Sequence, residues 1–154
     1  MSMDRPKSKW GVPTWYFMHT YAEKINPNYY KHNNVKCFNI IRVICYNLPC
    51  PYCREHAISY LRRVPTGSIN TKEKLKNFLW QFHNSVNKRT GKKEVLLDFI
   101  VQYKDVNMLK AWIFFEKNFF SYYKVSRSFN SWQRNSAQEE LKKFFKENWS
   151  KLFS

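Results

Sequence analysis

Leu48-Pro49-Cys50-Pro51-Tyr52-Cys53, continued by Arg54-Glu55-His56, is the stretch on which the fold turns. Two cysteines separated by two residues either close a small disulfide or share a metal ion. Both uses need thiolates, so the spacing alone leaves the choice open. Pro51 narrows the local structure, because proline fits the first helical position, where its missing N–H and fixed φ cost nothing. Cys50 is therefore expected at or near the N-cap of a helix that runs on through Cys53. A thiolate there is favoured by the positive end of the helix, and the pair reads as a redox dithiol.

The segment in front of the pair, Lys36 to Leu48, decides between a helical and a mixed fold. Phe38, Ile41, Cys45 and Leu48 share one side of a helix, yet Ile40, Ile41, Val43 and Ile44 suit a strand equally well. On a helix, Cys37 and Cys45 stand about 12 Å apart, too far for a disulfide, and they read as buried thiols. Composition favours helix. With three glycines and six prolines in 154 residues, an all-β sandwich with a turn every 8–12 residues is disfavoured. The length allows one core, or one core with a helical appendage.

Upstream, Trp10-Gly11-Val12-Pro13 reads as a turn and Thr14 as the N-cap of a helix to about Ile25. Trp15, Met18, His19 and Ala22 recur at helical spacing, which puts a histidine inside an apolar face, as a core residue or as a ligand. Asn26-Pro27-Asn28 ends this helix and a polar loop runs to Asn34. Downstream, the dithiol helix closes at Val64-Pro65-Thr66-Gly67, and Asn70 with Glu73 forms a capping box for the next. That helix has an ordinary stripe, Leu75, Phe78, Leu79, Phe82 and Val86, and a second row of Trp80, His83, Asn84 and Asn87. An indole, an imidazole and two amides are expensive to bury alone, so water or a polar planar ligand must satisfy them. Lys88, Arg89, Lys92 and Lys93 follow, a cluster suited to phosphate or to the helix dipole.

Glu94 to Tyr103 is an ambiguous apolar run. Asp105 is expected to cap an aromatic helix through about Val125, carrying Trp112, Phe115 and Phe119. Ser126 to Asn135 reads as a linker, and Ser136 with Glu139 opens a last helix whose stripe includes Leu141, Phe144, Phe145, Trp149 and Leu152. The formal net charge of +16 attracts anions of every kind and names no partner. Its lysines and arginines are spread out, which reads as a solvated basic surface, not a nucleic-acid site. Met1 to Lys9 lacks the apolar run of a signal peptide and no stretch approaches a membrane span, so a soluble intracellular protein without membrane association is expected. Four cysteines in such a chain point to redox or metal chemistry.

Taken together, Trp15 and His19 in W-Y-F-M-H-T, the C-P-Y-C pair, and H-N-S-V-N-K-R-T-G-K from His83 to Lys92 resemble the Erv/ALR family of FAD-linked sulfhydryl oxidases. The resemblance covers roughly residues 10 to 100 and extends to virus-encoded members. It implies an all-α fold: an FAD-binding four-helix bundle with a short fifth helix, over residues 1–104. Residues 105–154 would be an aromatic-rich helical extension for packing or oligomerisation. By the same resemblance, Trp15, His19, His83, Asn84, Val86 and Asn87 contact FAD, and Lys88 and Lys92 lie near its diphosphate. Cys53 is similar to the cysteine nearest the flavin and Cys50 to the one that exchanges with substrate. No metal is implied. The implied reaction oxidises protein dithiols to disulfides and passes electrons through FAD to oxygen, with hydrogen peroxide as product. A homodimer is the family default. The implied setting is the cytoplasm of a host cell or a virion, with the mitochondrial intermembrane space as the alternative. Departures are visible: Gln81 stands beside Trp80 where the family places a structural cysteine, and no second shuttle dithiol exists.

Three other readings compete. A glutaredoxin shares C-P-Y-C, but that fold needs a strand before the dithiol, a cis-proline well downstream and a late glycine pair. A zinc module would have to draw one ligand pair from Cys37 and Cys45, eight residues apart on a helix. A basic nucleic-acid binder explains the charge and leaves the His-Asn row idle.

Overall fold

The computed structural model describes residues 4–125 and 131–154, and among these the chain is helical without strands. Seven α-helices follow in order: α1 (Asp4–Lys24), α2 (Pro27–His32), α3 (Asn34–Tyr46), α4 (Pro51–Leu61), α5 (Lys72–Arg89), α6 (Met108–Val125) and α7 (Ser131–Leu152). A 3-10 helix, Leu97–Asp105, joins α5 to α6. The segment in front of the dithiol is thus a helix. Its β-branched residues Ile40, Ile41, Val43 and Ile44 are all buried, so tertiary packing overrides their preference for a strand. The dithiol reading that required a preceding strand loses its fold.

Several boundaries differ from the sequence expectation for physical reasons. The first helix begins at Asp4 and runs through Pro13, so Trp10 to Pro13 is helix and not a turn. Trp10 is buried, and the Thr14 hydroxyl donates to the Trp10 carbonyl instead of capping. Burial of the indole outweighs the proline at this point. The expected loop after Asn26 contains the short α2: the Asn26 side chain accepts from the Tyr29 N–H at 2.9 Å, and Pro27 opens the helix. Thr71, not Asn70, caps α5, accepting from the Lys74 N–H at 3.1 Å. Gly67 takes the left-handed φ of 81° in the connection before it, a conformation that only glycine adopts without strain. Asn107, not Asp105, caps α6 by accepting from the Lys110 N–H at 3.0 Å. The last helix starts at Ser131, so the expected linker is shorter than Ser126 to Asn135, and its part at 126–130 lies outside the described residues.

One continuous core holds the bundle and the last two helices together. Phe17 of α1 is fully buried, stacked on Phe115 of α6 at 4.8 Å between ring centroids and edge-on to Phe145 of α7 at 5.7 Å. The α2 end is tied to α7 as well, because the Tyr29 hydroxyl donates to the side-chain amide oxygen Oδ1 of Asn148 at 2.9 Å. Glu23 of α1 pairs with Lys76 of α5 at 2.9 Å.

Phe115→Ala removes a fully buried ring from the joint between α1 and α6. It should lower unfolding stability by about 3–5 kcal/mol in a denaturant titration. A loss under about 1 kcal/mol would mean that α6 is not part of the cooperative fold.

Candidate active site

Cys50 is the N-cap of α4, with φ −88° and ψ 121°, and its Sγ accepts from the Cys53 N–H at 3.3 Å. Pro51 occupies the first helical position, as its chemistry requires. Arg54 clamps the turn before the helix by donating to the Leu48 carbonyl at 2.7 Å. Both cysteines are present as thiols, Cys50 half-buried and Cys53 buried, with Tyr52 between them exposed to 76%. The dithiol therefore has one sulfur toward the outside and one toward the interior.

That interior is a cavity of about 340 Å³ between α1, α3, α4, α5 and the 3-10 helix. Cys53 lines it, together with Trp10, Trp15, Phe82, His83, Val86, Phe99 and Tyr103, so aromatic planes dominate its walls. Asn87 also lines it and is only 6% exposed, which puts a side-chain amide on the wall. Arg89, Thr90 and Lys92 also line it, and among the described residues no acidic side chain does. A buried amide, flat rings and cations make a site for a planar, anionic molecule.

Trp15 and His83 stack almost parallel, 4.0 Å apart at an interplanar angle of 2°. His83 Nδ1 and His19 Nε2 are 2.9 Å apart and share one hydrogen bond, so one ring donates and the other accepts. Burial, with His83 adding to it, lowers the His19 pKa to about 3; burial and the nearby Lys92 lower that of His83 to about 4. Both rings are neutral near pH 7. The two inner thiols of α3 go the other way: burial pushes Cys37 up to about 11 and Cys45 up to about 12, which keeps them protonated.

The structure divides the expected site residues. Trp15, Cys53, His83, Val86, Asn87 and Lys92 come together on the cavity, while His19 stands behind His83 as its hydrogen-bond partner. Asn84 does not face the cavity. Its amide donates to the Val95 carbonyl at 2.9 Å and accepts from the Val95 N–H at 2.8 Å, and the Trp80 indole donates to the same carbonyl at 2.9 Å. Lys88 is exposed and outside the lining, whereas Arg89 lies in it and donates to Cys53 Sγ at 3.7 Å. Helical spacing carries the signal for this split. Phe82, Val86 and Arg89 fall at i, i+4 and i+7, a face that Asn84 and Lys88 miss. Trp10, Thr90, Phe99 and Tyr103 were not foreseen; Trp10 was hidden by the turn reading of its segment. Among the described residues, no group of three or more His, Cys, Asp or Glu side chains is placed to hold a metal ion.

Comparison with known proteins decides the family. The Erv1/Alr family model matches residues 12–106, which contain the dithiol and most of the cavity lining. The chain belongs to the Erv1/Alr family. An FAD-linked sulfhydryl oxidase of African swine fever virus (isolate Pig/Kenya/KEN-50/1950) is 36% identical over 86 residues, 54% of this chain and 70% of the relative. One from the Tick/Malawi isolate of the same virus is 34% identical over 84 residues, 54% of this chain and 70% of the relative. A protein of Invertebrate iridescent virus 6 is 31% identical over 91 residues, 54% of this chain and 80% of the relative. No solved structure matches the chain. The Erv1/Alr match ends before α6, so α6 and α7 stand outside it.

The histidine pair at the Erv1/Alr cavity makes stability depend on pH. The unfolded chain binds protons at these histidines near pH 6.5 and the folded chain only near 4 and 3. Stability contributed by the neutral pair is therefore complete above pH 6.5 and is lost as pH falls toward 4, each tenfold change in proton affinity being worth about 1.4 kcal/mol. Denaturant unfolding at pH 7 and pH 4.5 should show this loss, and His19→Phe should reduce the difference between the two. An equal difference in that variant would mean that other groups set the acid limb.

Proposed function

We propose that this chain is an FAD-linked sulfhydryl oxidase that forms disulfides in protein substrates. The observation that carries the reading is the placement of the dithiol, with Cys50 half-buried at a helix N-cap and Cys53 on the wall of an aromatic, cation-rimmed cavity. The cavity suits FAD on its own terms. Trp15, His83, Phe82 and Tyr103 offer planes for aromatic rings, the buried Asn87 supplies an amide, and Lys92 supplies positive charge for a diphosphate. FAD, when bound, accepts the electron pair that a dithiol gives up on becoming a disulfide.

The chain's own part is thiol–disulfide exchange. A substrate thiolate attacks Cys50 of the Cys50–Cys53 disulfide; a substrate–Cys50 bond forms, the intramolecular bond breaks, and Cys53 leaves as a thiolate holding the electron pair. A second substrate thiolate then displaces Cys50, releasing the oxidised substrate and leaving both site cysteines reduced. Cys53 faces the cavity, where the cofactor would take the pair and restore the disulfide. The neutral His19–His83 pair keeps the imidazole stacked against Trp15 without a buried charge. Oxygen is the proposed final acceptor, with hydrogen peroxide as product. The sulfhydryl oxidase relatives are viral, which supports the cytoplasm of a host cell or the virion as the setting. Among the described residues no helix is long and apolar enough to cross a membrane. The reading also includes residues 1–104 as the oxidase unit and a homodimer as the working form.

The purified chain reconstituted with FAD should be yellow, with a flavin absorbance band that co-elutes with protein. A colourless product would remove the basis for the reading. Cys53→Ser should abolish turnover of dithiothreitol, and Cys50→Ser should lose turnover while retaining flavin. His83→Ala should lower flavin occupancy several-fold; full occupancy would remove that ring from the cofactor site.

A further inference from the structure

Arg89 sits in an unusual electrostatic position. It lies at the C-terminal end of α5, where a cation suits the helix dipole and needs no other reason. Its side chain instead reaches across to α4 and donates to Cys53 Sγ at 3.7 Å. Among the described residues, neither of the two ion pairs involves Arg89 and no carboxylate lines the cavity. Among the described residues, the cavity wall shared with Cys53 carries Cys45 from α3, His83 and Arg89 from α5 and Lys92 just beyond α5, while Cys50 caps α4 with its sulfur on the Cys53 N–H and His56 lies further along α4. His56 is turned to the Ser85 hydroxyl at 3.1 Å, and burial together with the Arg89 charge lowers its pKa, so it adds no competing cation at neutral pH. Cys45 is held protonated by burial. A guanidinium within hydrogen-bond reach of Cys53 Sγ favours a thiolate at that sulfur.

We propose that Arg89 is the electrostatic partner of the Cys53 sulfur and stabilises it as the leaving thiolate when a substrate opens the Cys50–Cys53 disulfide. This rests on the oxidase reading given above. In the exchange step the substrate sulfur bonds to Cys50, the Cys50–Cys53 bond breaks, and the electron pair stays on Cys53, where a guanidinium already points. A leaving sulfur of lower proton affinity departs faster, so Arg89 acts on the substrate half of the reaction. Stabilising the reduced pair also makes the disulfide more oxidising, which favours acceptance of electrons from protein thiols. Arg89 thus has a role separate from that proposed for Lys92, which lines the same cavity.

The test uses the full chain. In Cys50→Ser protein, the rate of Cys53 alkylation by iodoacetamide is followed from pH 5 to pH 10 by peptide mass mapping. Arg89, Arg89→Gln and Arg89→Lys are compared, with FAD content per chain measured in parallel. Arg89→Gln should raise the midpoint by about one pH unit and slow alkylation up to about tenfold below it, and Arg89→Lys should recover most of the difference. In protein with both cysteines, Arg89→Gln should shift the equilibrium with glutathione about tenfold toward the disulfide, about 30 mV. An unmoved midpoint overturns the proposal. If FAD content falls at the same time, Arg89 is a cation for the cofactor and not for the sulfur. A chain that binds no FAD but shows the displaced midpoint supports the Arg89–Cys53 pair and refutes the oxidase reading, so the two failures are separable.

Discussion

Two hydrogen bonds between the Asn84 side chain and the backbone of Val95 hold the site together. The amide donates to the Val95 carbonyl and accepts from its N–H, and the Trp80 indole adds a second donor to that carbonyl. The segment after α5 has no other regular structure before Leu97, and Gly91 there takes a φ of 73° that turns the chain back. Pinning Val95 fixes where the 3-10 helix begins, and that helix carries Phe99 and Tyr103 over the cavity. Exposed hydrogen bonds are worth little, but these are part-buried and use every polar atom of a half-buried amide pair, so losing the side chain would strand backbone groups. The residue most easily taken for a ligand contact is the one that builds the pocket's lid.

The electrostatics of the cavity follow from keeping acids out of it. Two imidazoles are buried against one another in the neutral state, because a second proton would place a charge where burial and Lys92 both oppose it. Arg89 and Lys92 are left without carboxylate partners on the lining, so the cavity presents positive potential to whatever anion enters or forms there. The overall charge of +16 says nothing this specific. What matters is that, among the described residues, the lining has cations and two thiols and no competing carboxylate. The sulfur that would be displaced as an anion lies among them.

Much of this was legible in the sequence, and the gaps have physical causes. Pro51 after Cys50 fixes the N-cap, since proline at the first helical position and a side-chain acceptor before it are a local matter. The cavity face of α5 was legible in part: His83, Val86 and Asn87 follow from helical spacing. The same spacing excludes Lys88 and admits Arg89, a discrimination that needs the face to be known and not only the cluster. The roles of Asn84 and Trp80 were hidden because their partner is the backbone of Val95, and a backbone partner leaves no mark in side-chain pattern. Pro13 concealed the first turns of α1, where burial of Trp10 decides against the usual breaker rule. Capping residues were misplaced by one or two positions at α5 and α6, where neighbouring polar residues offered equivalent acceptors.

The last two helices act on the site without entering it. Among the described residues none of α6 or α7 lines the cavity, and the family match ends before them. Yet α1 has two working faces. Trp10, Trp15 and Met18 look into the cavity, while Phe17 and Tyr21 are fully buried against Phe115 and Phe145 of α6 and α7. A helix packed on one side only would be free to shift by fractions of an ångström relative to α5, and the Trp15–His83 stack tolerates little such movement at 4.0 Å. Packing α6 along the outer face of α1 removes that freedom. The two aromatic helices therefore fix the position of the wall on which Trp15 stands, although the last fifty residues carry no thiol or imidazole.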